Sequence, residues 1–176
     1  ARVAPSKDLE ADAPALIASM LSAGYDTNAL AWSSIVPSGS AGWGLLTLAA
    51  PGRIRAVDTS AVDTYYGADE SRNKRRSAFL VAGLAGLERI DQGAASRYSN
   101  DWGMQLDSAT HFTKAIDAAA TAGDAASVAL LAGLGMQGSS WQRMTPRYLY
   151  HIVSALRAVG LEAEARMIAV EALTRI

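Results

Sequence analysis

The sequence predicts an all-α protein of about eight or nine helices packed as antiparallel hairpins, an irregular α-solenoid or superhelix-like bundle. Three observations lead there. About one residue in five is Ala, the strongest helix former, and long β-branched runs are absent. Apolar residues recur with the 3.6-residue period of a helix, and no stretch alternates with the period of two expected of a half-buried strand. Asp, Ser, Thr, Pro and Gly stand where helices start and stop.

The elements follow in order. Asp12 and Pro14 open a first helix through Ile17, Met20 and Leu21, ended at Ala23-Gly24. A second starts at Asp26 or Thr27 and reaches Val36, where Pro37 stops it. Ser38 or Ser40 caps a third with Trp43, Leu45, Leu46 and Leu48, closed by Pro51-Gly52. A weaker segment covers Ser60 to Tyr66. A long helix runs from about Ser71 to Ile90, where Gly83 and Gly86 beside Ala82 and Ala85 admit a close neighbour. Residues 92–107 are polar and read as a connection, with a turn of helix within it as the alternative. Ser108 caps a helix with Phe112 and Ile116 that ends at Ala122-Gly123, and Asp124 opens another through Val128, Leu131 and Leu134. Thr145 and Pro146 begin a helix whose Leu149, Ile152, Val153 and Leu156 share one face. Gly160 ends it, and the pattern restarts at Leu161 toward Ile176.

Composition narrows the function. With 176 residues, half of them hydrophobic, the chain holds enough apolar material for one packed core and is not disordered. A net charge of −1 lacks the basic excess of a dedicated nucleic-acid binder. The absence of Cys removes disulfides, thiolate metal sites and Cys nucleophiles, and two His are too few for a histidine-rich metal site. No cofactor is expected. The longest apolar stretch, Ala78 to Leu87, is half of the roughly 20 residues that cross a bilayer. The chain begins at Ala1, which suits either a processed form or the C-terminal part of a longer protein. Residues 1–11 are read as an extension and 12–176 as a single domain. Exported and cytoplasmic settings are equally compatible with the composition.

Catalytic patterns are weak. Gly133-Leu134-Gly135-Met136-Gln137-Gly138 matches G-x-G-x-x-G but follows a helix, where a dinucleotide site needs a strand. The glycine-rich run from Ser38 to Gly44 lacks the Lys-Ser/Thr ending of a phosphate loop. Ser139 and Ser140 with His151 lack a nucleophile elbow. His111 and His151 are read as surface or rim residues. Asp58 with Asp63, and Asp101 with Asp107, read as caps and solvated turns rather than acid pairs.

Two clusters stand above this background. Arg72, Lys74, Arg75 and Arg76 crowd what should be the first turn of the long helix, where cations oppose the helix dipole. With Arg53 and Arg55 included, residues 53–76 carry six basic and four acidic groups. That local excess suits an anion or an acidic partner and is too small for nucleic acid. The second cluster is Trp141, Arg143, Arg147, Tyr148, Tyr150 and His151, the residue types that dominate interface hot spots. Arg147, Tyr150 and His151 share a helix face apart from Leu149, Ile152 and Val153, so the cluster is expected to stay outside as an aromatic-basic strip.

Three turns align: IASMLSAGYDTNA from Ile17, IDAAATAGDAASV from Ile116 and VSALRAVGLEAEA from Val153. Each has an apolar start, a small or apolar residue before Gly, and another five positions after it. In this layout the chain resembles the tetratricopeptide and Sel1-like helical-hairpin repeats. The resemblance implies stacked hairpins and no functional residues in particular. The expected function is therefore a non-enzymatic protein-interaction or scaffold domain. Its partner would be another protein, a preceding domain of the same chain, or a second copy. Because helical arrays need atypical capping ends, the apolar Ile176 side chain points to a covered terminus. A small-molecule or lipid-binding domain with a cavity between hairpins is the alternative, and a hydrolase or lyase using lone carboxylates ranks third.

Overall fold

Helix starts fall where a short polar side chain can satisfy the unpaired N–H groups of a first turn. In the computed structural model, which describes residues 3–52, 56–137 and 141–176, Ser40, Asp58, Asp91, Thr110, Asp124 and Thr145 each accept such a bond at a helix N-terminus. The described residues form ten α-helices and four short 3₁₀ turns, without strands. The helices are α1 (Ala13–Ser22), α2 (Asp26–Leu30), α3 (Ala41–Ala49), α4 (Thr59–Ala68), α5 (Arg75–Gly86), α6 (Gln92–Asp101), α7 (His111–Thr121), α8 (Ala125–Gly135), α9 (Pro146–Ala158) and α10 (Glu162–Thr174). No described helix is long and apolar enough to cross a membrane.

Several expectations meet a different outcome. The stretch read as a connection contains α6, whose polar sequence is held by tertiary bonds: the Tyr98 hydroxyl donates to Asp63 at 2.6 Å, and Ser99 Oγ accepts from Leu106 N–H at 3.0 Å. The long helix from Ser71 is broken. Residues 72–74 make a 3₁₀ turn in which Asn73 and Lys74 take left-handed φ of 55° and 54°, and α5 starts at Arg75. The second helix turns 3₁₀ over Ala31–Ser34, and Thr110, not Ser108, caps α7. Arg53, Arg55, Gly138, Ser139 and Ser140 lie outside the described residues.

The core is organised by α5 and α9. Helix α5 is apolar on nearly every side and buries Phe79, Leu80, Val81, Ala82 and Leu84, as expected of an enclosed helix. Burial of each large side chain contributes about 1.5–3 kcal/mol. Against it lies α9 with Leu149, Ile152, Val153 and Leu156. The two run parallel: Arg75 at the start of α5 bonds the carbonyl of Met144, just before α9, and the Gly86 carbonyl at its end accepts from Arg157 in the last turn of α9. At Gly86 a Cβ would sit 2.8 Å from Val153 Cγ1, so the close approach needs glycine. Gly83 makes room on another side, for Leu48 of α3 and Ala169 of α10. Helices α7 and α8 flank α9, and α1 covers α3. Arg89, 2% exposed, donates to the carbonyls of Thr47, Leu48 and Ala50 at the end of α3, while Arg166 serves Ala49. Burial, with Arg166 nearby, draws the Arg89 pKa down to about 10 although Glu162 lies 3.5 Å away.

Candidate partner-binding groove

Because α5 and α9 are parallel neighbours, their N-terminal turns open at the same end of the molecule. What lies there is set first by Asp69, a carboxylate only 6% exposed. Its Oδ1 accepts from Ser71 N–H at 2.8 Å, and Oδ2 accepts from the Ser77 N–H and hydroxyl at 2.8 and 2.7 Å. Burial pushes the carboxyl up, but these bonds outweigh it and hold it below the ordinary carboxylate range. The Asp69 carbonyl takes the Lys74 ammonium, and Ser71 Oγ takes Arg76 N–H. So anchored, the turn keeps two non-glycine residues in left-handed backbone, an arrangement that costs of order 1–3 kcal/mol per residue.

Arg75 then acts as a strut. Its guanidinium lies 4.7 Å from the Phe79 ring centroid and donates to the carbonyls of Trp141 and Met144 at 3.0 and 2.6 Å. On α9, Thr145 and Pro146 place Arg147 in the first turn, where it reaches Gln105 Oε1 at 3.1 Å while its buried Nε has no partner among the described residues. The end of α6 adds Trp102, stacked on Tyr66 at 4.6 Å between centroids, and the end of α10 adds Arg175, paired with Glu171. Arg76 reaches the Ile176 carbonyl.

Together these four chain segments line one open groove of about 1020 Å³. Its cations are Arg72, Arg75, Arg76, Arg147 and Arg175; Glu70 is the one carboxylate side chain among its lining residues. Trp102 and Trp141 form apolar parts of the wall. The positive ends of two helices of twelve and thirteen residues add to the field.

The two clusters singled out in the sequence thus meet, but neither arrives whole. Lys74 leaves the groove and sits over the Tyr66 ring at 5.2 Å. Arg143 lies beside a separate hollow of about 190 Å³ with Met136 and Tyr148. Tyr150 is half-buried and faces a third cleft, of about 370 Å³ between α5, α6 and α9, whose rim carries Glu88, Asp107 and three serines. Burial, together with Asp107, Asp117 and Glu88, pushes its phenol up. The expected outer strip is corrected most clearly at His151, which is buried. Its Nδ1 lies 2.8 Å from Asp117 Oδ1 and its Nε2 3.0 Å from the Leu106 carbonyl. Both partners are hydrogen-bond acceptors for the ring nitrogens. The shared face of Arg147, Tyr150 and His151 is real, but it turns toward the 104–107 loop and α7.

Trp102, Arg175 and the Asp69 anchor were missed by sequence reasoning. Only Trp102 carried a signal, an aromatic residue in a segment otherwise read as a polar connection. The exposed Leu130 and Leu134 on α8 lie elsewhere, and Ile176, only half exposed, packs against the core. Among the described residues no three His, Asp or Glu side chains gather as metal ligands. No family model, no curated protein and no solved structure matches the chain.

Proposed function

We propose that the chain is a non-enzymatic protein-interaction domain whose partner docks in the arginine groove. One observation carries the reading: segments far apart in sequence bring five guanidinium groups and two indoles to a single open groove with one opposing carboxylate side chain among its lining residues. Trp and Arg are the side chains that most often dominate binding energy at interfaces. A cationic wall also speeds encounter with a partner of opposite charge. The finer architecture belongs to the same proposal: α7 with α8, and α9 with α10, act as hairpin units turning at Gly123 and Gly160, and the groove lies at the end where the α9–α10 unit meets α5. Contacts between α5 and both α9 and α10 support a closed bundle more than a repeat array in which each unit touches only its neighbours.

The test is site-specific photo-crosslinking in cells, with the reactive side chain placed at Arg72 or, as control, at the exposed Glu10. The expected result is a discrete protein adduct from position 72 alone, lost when Arg147→Glu is added. Equal labelling from both positions would overturn the reading. The polar cleft under Tyr150 supports a second reading, a small hydrophilic ligand; its rim does not suit a lipid. A ligand there would raise the melting temperature of the parent and not of Tyr150→Phe with Ser154→Val.

A further inference from the structure

We infer that the occupant of the groove is an extended acidic protein segment, gripped through its carboxylates by arginine forks. This assignment rests on the interaction reading above and adds the chemistry of the partner. All five cations lining the groove are arginines. A guanidinium presents paired, coplanar donors that fit a carboxylate or a phosphate, where an ammonium is a point charge. The helix ends decide between these two anions. A phosphate seated at a helix N-terminus is cradled by free main-chain N–H groups. At α5 they are spent: Arg75 N–H bonds the Arg72 carbonyl, Arg76 N–H bonds Ser71 Oγ at 3.0 Å and Ser77 N–H bonds Asp69 at 2.8 Å. At α9, Tyr148 N–H bonds Thr145 Oγ1 at 3.2 Å and Pro146 has none, which leaves at most the single N–H of Arg147. Helices α5 and α9 therefore lend a positive field without a cradle, and recognition falls to side chains.

Size and spread point the same way. A groove of about 1020 Å³ reached by four chain segments is far larger than one compact anion. Single charges spaced along a chain match it, with the apolar stems of Glu side chains against Trp102, Trp141 and Ala78. One cation is ready for such a ligand, and a second is only partly engaged. The Arg72 side chain is exposed and makes no hydrogen bond or ion pair among the described residues, and Arg147 keeps its Nε unused.

The experiment titrates hexaglutamate into the full chain and follows tryptophan fluorescence, since two of the four tryptophans line the groove. Hexaglutamine, tripolyphosphate and a short oligothymidine are run beside it. Hexaglutamate is expected to bind saturably and hexaglutamine not at all, with affinity falling at least about tenfold in Arg72→Glu. Because Arg72 is exposed, that variant keeps the fold, which circular dichroism verifies; Arg147→Glu is expected to act in the same direction. Tripolyphosphate or oligothymidine binding as tightly as hexaglutamate overturns the carboxylate assignment, and hexaglutamate binding indifferent to Arg72→Glu overturns the site. If hexaglutamate fails while a protein still crosslinks from position 72, the ligand chemistry is wrong and the interaction reading stands. If hexaglutamate binds but crosslinking fails, the reverse holds.

Discussion

Replacing Gly86 by Ala tests the parallel α5–α9 pair on which the groove depends. An added Cβ would stand 2.8 Å from Val153 Cγ1, 2.9 Å from Val153 Cβ and 3.0 Å from the Tyr150 carbonyl oxygen. The nearest of these is about 0.6 Å inside the 3.4 Å at which ordinary Cβ contacts begin. Relief by rotation is closed: the carbonyl belongs to the α9 backbone, and a β-branched valine in a helix has one strongly preferred rotamer. The helices must move apart, and overpacking of this kind costs about 1–3 kcal/mol. Against that, Ala gains up to about 1 kcal/mol over Gly in a helix. The net expectation is a loss of roughly 1–2 kcal/mol, read by chemical denaturation, or a melting temperature lower by about 2–8 °C. Gly133→Ala is the control. It lies in α8 with nothing within 4 Å of the new Cβ, so propensity acts alone and the protein is stabilised. If Gly86→Ala stabilises as much as Gly133→Ala, the helices are not in contact there.

Three further outcomes are expected. Asp69→Asn disturbs the bonds from Ser71 and Ser77 and costs about 1–3 kcal/mol near neutral pH. Because the folded carboxyl is held below its ordinary range, its stabilising share is complete above that range and is lost as pH falls below it, through the lowered folded value. The stability gap between parent and variant should therefore close on acidification below about pH 4, and a gap independent of pH would contradict this. His151→Phe keeps a ring of similar shape but leaves the Leu106 carbonyl without its donor, so unfolding free energy should drop by about 1–3 kcal/mol, whereas no change would mean the ring bonds are not made. Arg89→Met strands three carbonyls at the end of α3. A loss of about 3 kcal/mol or more is expected, and a loss under 1 kcal/mol would show that water serves those carbonyls instead.

How much of this was legible in the sequence follows from how local each feature is. Thr145, Pro146 and Gly160 specify the ends of α9 through bonds within a few residues, and they stand where expected, with Gly160 at φ 85°. The apolar face of α9 was equally readable. By contrast, α6 has few apolar positions of its own and depends on Tyr98 reaching Asp63, 35 residues earlier. The break before α5 depends on the Asp69 carboxylate folding back eight residues to Ser77. Both basic clusters were visible, yet nothing in either indicates that α5 will lie beside α9. That pairing is fixed by Gly86 fitting Val153 and by Arg75 reaching Met144, 69 residues on. For His151 the face could be assigned but not its direction, because its partner Asp117 lies 34 residues away.

The most direct measurement is the footprint of hexaglutamate on the backbone amide spectrum of the labelled protein. Shifts are expected at residues 70–78, at Trp102 to Met104, in the first turn of α9 and at Arg175, with α1 and α8 silent. A footprint centred on Leu130 and Leu134 of α8, or one scattered over the surface without saturation, would contradict the arginine groove as the seat of binding.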